Sequence, residues 1–387
     1  MPLGYVLSFY WFQLAGYSEA SARLPSLLFS VLAATAVWLL SKRVGLRSSL
    51  PAVLLFLILP IQFRYATEAR PYAMALCLSS WTSVVALSLR EEVNSKKLTA
   101  YVIVTALGIY TQPFSVFVSI AHFVAFVIDS RRCWRQVFCS CLALAIVFGL
   151  FLPWYLYASP FWRSEIQLSP ARLRLADGLL IVRELVGGGY HGTLALLGAA
   201  VLGVRELARD IRWFWILYLI IPVLGPLVAD YCFGYFLAVR QMIYVIVPIS
   251  LLGALGIQSI MQRKVIVAKS FMGFLICACL LSSISFYMRP REDWKATSQR
   301  IRAEAEKGAC VVLSPPTSAY IYRFFLPYFS QYTCPPDFIN FKTVALVSSP
   351  YQAPTDRLSV EAKFAGEHWR EVRRYRFNGP EVVVFQK

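Results

Sequence analysis

Charge is what this sequence has least of. Only 15% of its 387 residues are Asp, Glu, Lys or Arg, whereas 58% are hydrophobic and the mean hydropathy is +0.58. Soluble globular domains carry about 25% charged residues, so a purely soluble chain is excluded. Cysteines with metal spacing are also missing. Of the nine cysteines, Cys139 with Cys141 and Cys277 with Cys279 fall inside apolar runs, where they read as small hydrophobes. The chain has no Walker or dinucleotide-binding pattern and no clear internal repeat. The formal net charge of +17 is spread over many short segments and forms no single basic patch, which argues against nucleic acid as a partner.

What is present is a series of apolar windows with the lengths that hydrocarbon demands. Residues 3–17 are too short to span and read as an interfacial aromatic helix. Candidate spans follow near 24–41, 49–63, 71–90, 98–112, 113–130, 136–157, 190–204, 213–230, 241–260 and 268–288. The fold class expected is therefore an all-α polytopic membrane domain of about ten transmembrane helices, residues 1–288. After Met288 the texture changes: residues 289–387 hold 15 Lys and Arg with 10 Asp and Glu, as in a small soluble domain. There the pattern predicts helix 292–306, strand 309–314, helix 319–329, strand 343–348, helix 358–365 and a hairpin, 369–377 and 381–386, turning at Asn378-Gly379-Pro380. No catalytic triad or metal cluster is visible in this α/β domain, and its only histidine, His368, reads as an exposed loop residue. Cys310 and Cys334 could pair if the domain lies outside the cytosol.

Alternate loops carry three basic residues each: Lys42, Arg43 and Arg47; Arg90, Lys96 and Lys97; Arg131, Arg132 and Arg135; Arg205, Arg209 and Arg212; Arg263, Lys264 and Lys269. The positive-inside rule puts these in the cytoplasm. The other side then receives four polar elements: residues 64–72, the 158–189 loop, the 231–240 segment and the C-terminal domain. The protein is thus expected to be a multi-pass cytoplasmic-membrane protein, with the bilayer as a partner and its last domain extracytoplasmic.

The stretch from Arg64 to Tyr72, Arg-Tyr-Ala-Thr-Glu-Ala-Arg-Pro-Tyr, is a polar island between apolar runs. Ionisable groups at that depth are functional candidates; the competing reading is an anchoring belt in which Arg snorkels and Tyr sits at headgroup level. Arg240 opens a later span with Tyr244 one helical turn on, on the same face, and either snorkels or holds a phosphate. Gly187-Gly188-Gly189 could cradle a phosphate with its N–H groups or act as a hinge.

Several short matches are ordered along the chain. Pro2-Leu3-Gly4-Tyr5, Ala22-Arg23-Leu24-Pro25-Ser26, Tyr65-Ala66-Thr67-Glu68-Ala69-Arg70-Pro71-Tyr72, Gly108-Ile109-Tyr110-Thr111 and Arg291-Glu292-Asp293-Trp294 together resemble the GT-C glycosyltransferases. The likeness is to the aminoarabinose-transferase and protein O-mannosyltransferase type, more closely to the bacterial membrane enzymes related to lipopolysaccharide-core galacturonic acid transferases. That family places a further helix, and an outer loop with an Asp or Glu base, ahead of its Pro-Pro-Leu-Tyr motif. Met1 falls within that motif, so a start upstream of Met1 or a truncated, inactive homologue is expected. Gln112 stands where the family often has His.

The resemblance implies transfer of a sugar from a polyprenyl-phosphate donor to a hydroxyl acceptor at the outer face, with inversion. A carboxylate must take the acceptor proton, and positive charge must meet the departing phosphate. Glu68 is the carboxylate expected to position the acceptor or share base work, with Arg70 orienting it or touching the phosphate. Arg240 is the better phosphate ligand, with Arg64 behind it. Tyr65, Tyr72 and Tyr244 are the remaining candidates for the substrate site. No cofactor is certain; a divalent cation remains an option, with Glu165 and His191 as the conceivable ligands. A flippase for lipid-linked sugars would instead show inverted repeats and charges deep in the spans.

Overall fold

A computed structural model of the chain describes residues 2–129, 134–167, 178–233, 238–288, 292–314, 318–326, 328–334, 341–349 and 369–387. The chain divides into two compact units, Met1–Phe286 and Tyr287–Lys387.

The first unit is helical throughout: α1 (Pro2–Ala15), α2 (Glu19–Arg43), α3 (Leu50–Ile58), α4 (Pro60–Thr67), α5 (Tyr72–Glu91), α6 (Ser95–Thr111), α7 (Val116–Ile128), α8 (Trp134–Gln167), α9 (Gly178–Val186), α10 (Gly189–Glu206), α11 (Arg209–Phe233), α12 (Ile246–Arg263) and α13 (Val265–Met288). A 3₁₀ turn, Pro113–Ser115, leads into α7, and a longer one, Val239–Val245, leads into α12. Each of the ten apolar windows centres on these helices and the 3₁₀ turns that lead into them, with 49–63 divided between α3 and α4. Among the described residues six are long and apolar enough to cross a membrane on their own, and the bent pair α3–α4 makes a seventh. The chain is a multi-pass membrane protein.

Small residues let the central helices approach closely. In α5 the buried positions include Ala73, Ala75, Ser79, Ser80, Ser83 and Ala86, the composition that packs backbones together where lipid supplies no hydrophobic drive. The tightest crossing joins α10 to α12: a Cβ on Gly203 would strike the carbonyl of Leu252, and one on Gly256 the carbonyl of Ala199. By contrast α8 and α13 expose most of their apolar surface, among it Phe148, Leu150, Leu281 and Ile284, as lipid-facing helices do.

Loop contacts sort onto two ends. At one end Arg90 bonds Asp129 at 2.8 Å and Asp210 at 3.3 Å, tying α5, α7 and α11 together. Arg43 meets Glu91 there, Gln258 takes the amide of Arg47, and Ser259 bonds Glu206. These are the loops that charge alternation assigns to one side. At the other end of α5 lies the 64–72 island.

The second unit packs α14 (Trp294–Ala305) and α15 (Ala319–Phe325) on a sheet of β1 (Cys310–Ser314), β2 (Thr343–Ser348), β3 (Arg370–Arg376) and β4 (Glu381–Gln386). Strand order is β1-β2-β4-β3, with β1 and β2 parallel and the other pairs antiparallel. Asp293 caps α14 by accepting the Ala296 amide at 3.0 Å, while Trp294 packs edge-on to Tyr322. Gly379 turns the hairpin with φ of 95°. The register of β3 shifts between Glu371 and Arg373; this bulge puts Glu371 and Arg374 on one face, where they pair at 2.6 Å. Glu304 is buried, accepting from Tyr375 at 3.2 Å and Lys307 at 3.2 Å. Cys310 and Cys334 form a disulfide with Cα atoms 5.1 Å apart. The helix expected at 358–365, His368 and Arg291 lie outside the described residues.

Three boundaries differ from those read in the sequence. Pro60 breaks the 49–63 span, because it lacks an N–H and its ring bars a straight continuation. Leu59 before it is extended (φ −55°, ψ 126°), and α4 turns by 66°. Arg64 to Thr67 are therefore helical, and the loop proper begins at Glu68. Residues 158–167 continue α8 instead of opening a loop. The helix predicted over 319–329 ends at Phe325, and a 3₁₀ turn begins at Phe329.

Candidate active site

The kink at Pro60 aims α4 so that its last turn and the following loop carry the polar island. Arg64 Nε donates to Glu68 Oε1 at 2.9 Å across one turn. Glu68 is the first residue past the helix, with extended backbone (φ −95°, ψ 139°). Its other oxygen, Oε2, is buried, accepts no hydrogen bond among the described residues, and lies 3.7 Å from Arg70 Nε. One carboxylate thus has an oxygen tied down and an oxygen left with its lone pairs. Arg70 is half exposed, with 51% of its side chain accessible against 20% for Glu68.

The loop is held from α2. Ser26 Oγ donates to the carbonyl of Glu68 at 2.6 Å and lies 3.3 Å from that of Arg70. Pro25 beside it removes the helical donor to the carbonyl of Ser21, and the indole N–H of Trp11 takes that carbonyl at 2.8 Å. A Pro-Ser pair in α2 therefore docks α1 and clamps the island. Gly4 of α1 rests against Pro71; a Cβ there would come within 2.7 Å of the proline Cβ.

Beneath the loop, Tyr65 and Tyr72 pack ring to ring at 4.9 Å, both nearly inaccessible. They form the floor of the island instead of lining an open pocket. The Arg240 guanidinium lies over Tyr72, 5.8 Å from the ring centre and in hydrogen-bonding relation to its side chain. So Glu68, Arg70, Arg64, Tyr65, Tyr72 and Arg240 are brought together. Tyr244 does not stand one α-helical turn from Arg240, as the spacing suggested. Residues 239–245 are 3₁₀, and at 3.0 residues per turn Tyr244 falls a third of a turn away from Arg240. Tyr244 is fully buried.

Two residues escaped the sequence reading. Glu184 on α9 lies 3.5 Å from Arg64; its place on an amphipathic run hid it among ordinary surface charges. Gln62, one turn below Tyr65, is buried with neither amide atom hydrogen-bonded among the described residues. Of the conceivable metal ligands, His191 is exposed at the start of α10, and the Glu165 side chain lies outside the described residues. Among the described residues no three His, Cys, Asp or Glu side chains gather as a metal site.

A cavity of about 300 Å³, lined by Arg90, Asp129, Asp210, Trp213 and Phe214, lies at the opposite end of α5. At 1.5 Å per residue that is about 27 Å from the island. The carboxylate and its arginines thus lie at the opposite end of α5 from this cavity, with Arg70 half exposed and Glu68 mostly covered.

Residues 2–157 match the family model "Dolichyl-phosphate-mannose-protein mannosyltransferase". No curated protein sequence matches the chain at a significant level. Two solved structures share the fold. ArnT from Cupriavidus metallidurans in the apo state is 11% identical with a TM-score of 0.63; the same protein bound to undecaprenyl phosphate is 13% identical with a TM-score of 0.63. In both comparisons 99% of this chain and 87% of the other are covered.

Proposed function

We propose that this chain, a membrane glycosyltransferase of the GT-C superfamily, transfers a sugar from a polyprenyl-phosphate donor to a hydroxyl on a glycolipid, polysaccharide or protein. The observation that carries the reading is the half-tied carboxylate of Glu68, set among arginines at the end of α4. A fold neighbour was crystallised with undecaprenyl phosphate, and a carrier of that chemistry keeps its tail in the bilayer while its phosphate meets the island.

In the reaction, Glu68 Oε2 takes or shares the proton of the acceptor hydroxyl as that oxygen attacks the anomeric carbon. The bond from the anomeric carbon to the phosphate oxygen breaks with inversion, and polyprenyl phosphate leaves. Arg240 and Arg70 meet the charge that gathers on the leaving phosphate. Arg64 holds Glu68 in orientation through its Nε–H bond to Oε1. The reaction lies on the extracytoplasmic face of the cytoplasmic membrane, the side reached by the poorly basic loops. The Cys310–Cys334 bridge fits an oxidising compartment for the second unit.

The test uses the full chain in lipid nanodiscs with undecaprenyl-phosphate-linked sugars and an extract of envelope acceptors. Wild type should release undecaprenyl phosphate as product appears, and Glu68→Gln, which keeps shape but cannot take a proton, should lose transfer by about 100-fold or more. Wild-type turnover by Glu68→Gln would overturn the assignment.

A further inference from the structure

Gly187, Gly188 and Gly189 all have positive φ, 72°, 73° and 69°, so the chain turns from α9 into α10 within three residues. Gly187 does more than turn. A Cβ at this position would run into the ring of Pro60, the first residue of α4 and the one whose kink aims the island. Only glycine lets the end of α9 sit directly on the start of α4.

That approach has a chemical result. Glu184, one turn before Gly187, reaches across to Arg64, one turn after Pro60. Glu184 Oε1 lies 3.5 Å from the terminal nitrogen of Arg64, whose Nε holds Glu68 Oε1 at 2.9 Å. The guanidinium also stacks near Phe286, 4.7 Å from its ring centre, and near Tyr65, 5.5 Å away. An isolated pair with Arg four residues before Glu has the less favourable order along a helix and is worth only a few tenths of a kcal/mol. It would not fix a side chain that gives up about 2 kcal/mol of rotamer entropy. A second carboxylate and two aromatic faces do fix it.

We propose that Glu184 is a positioning residue of the transfer site: with the close approach at Gly187 it commits Arg64 to Glu68, so that Arg64 serves the carboxylate and not the donor phosphate. A guanidinium shared between two carboxylates has its charge answered on both sides, which leaves it little pull on a phosphate. The donor's charge falls to Arg240 and Arg70. The inference rests on Glu68 being the site's carboxylate, and its test separates the two claims.

The first arm measures undecaprenyl phosphate binding to the full chain in nanodiscs and needs no knowledge of the sugar. Arg64→Gln and Glu184→Gln should leave Kd within about twofold of wild type, while Arg240→Gln weakens it by about tenfold, a charge-assisted hydrogen bond's worth. If Arg64 were a phosphate ligand, Arg64→Gln would weaken binding and Glu184→Gln, freeing the cation, would tighten it severalfold; either result overturns the proposal. The second arm measures turnover with a donor that wild type accepts. Glu184→Gln should lower kcat by about 10- to 100-fold with little change in the donor's KM, and Glu184→Asp should recover part of the loss. Gly187→Ala should reproduce the defect, and the double variant should not add to it. Gly189→Ala controls for backbone strain, since it has the same positive φ but nothing within 4 Å of its Cβ; it should retain kcat. Where Gly187→Ala fails to fold, the Glu184 variants decide alone. Wild-type kcat in Glu184→Gln, with transfer lost in Glu68→Gln, would sink this inference and leave the proposed function standing.

Discussion

Replacing Ser26 by Ala should loosen the loop that begins at Glu68 while leaving the membrane domain folded. The hydroxyl is buried in α2 and its single proton serves the carbonyl of Glu68 at 2.6 Å, with that of Arg70 at 3.3 Å. Loss of one such bond costs about 1 kcal/mol net, rising to about 3 kcal/mol where the acceptor stays out of reach of water. At 1.4 kcal/mol per tenfold, the loop's open population should rise by about 5- to 150-fold. The cost is local, because α2 keeps its other packing, so the melting temperature should move little. Hydrogen–deuterium exchange of a peptide covering 66–76 reads the opening directly. Two of its amides, Arg70 bonded to Glu68 and Ala75 bonded to Pro71, bracket the loop. Faster exchange confined to that peptide, with a fall in transfer, is the expected result. Unchanged exchange there would refute the clamp, and equal acceleration across all peptides would mean that Ser26 acts on the fold as a whole.

Three further outcomes follow from the packing. Gly256→Val should destabilise the membrane domain by about 3 kcal/mol or more, since the added carbons meet the backbone of α10 at Ala199, which cannot give way as a side chain can; a thermal melt in detergent checks it. Serine at Cys310 and Cys334 together should lower the stability of the second unit by about 3 kcal/mol, the loop-closure value for a bridge across 24 residues, read by limited proteolysis after the spans. Glu371 is held below the ordinary carboxylate range by its hydrogen bond from Arg374. A lowered folded-state value adds stability above the unfolded range and loses it as pH falls through the folded value. The gain is well under 1 kcal/mol for so exposed a pair. Glu371→Gln should flatten that acid limb slightly, and wild type in high salt should do the same.

Most of the helical plan was legible because lipid allows few alternatives: a buried apolar window of sufficient length has to be a helix. The C-terminal strands were legible for a different reason, the short valine-rich apolar runs of β1, β2 and β4 and the turn at Asn378-Gly379-Pro380. The polar island stood out because Glu68 and its arginines occupy positions that apolar residues would otherwise fill. Where the sequence misled, a local geometry had changed the period. Pro60 turned four island residues into helix, and a 3₁₀ turn separated Tyr244 from Arg240.

By itself, then, the sequence determined a multi-pass helical chain with a small α/β unit after it, and a carboxylate among arginines as its most unusual feature. Those follow from composition and spacing, which act along the chain. Only the tertiary structure decided which groups meet that carboxylate. Ser26 and Glu184 lie 42 and 116 residues from Glu68 in sequence, and no spacing rule links them. A proline that frees a carbonyl, a glycine that admits a proline ring and a kink that turns one helix bring them together, and those contacts leave Glu68 with one oxygen held by Arg64 and the other without a hydrogen bond among the described residues.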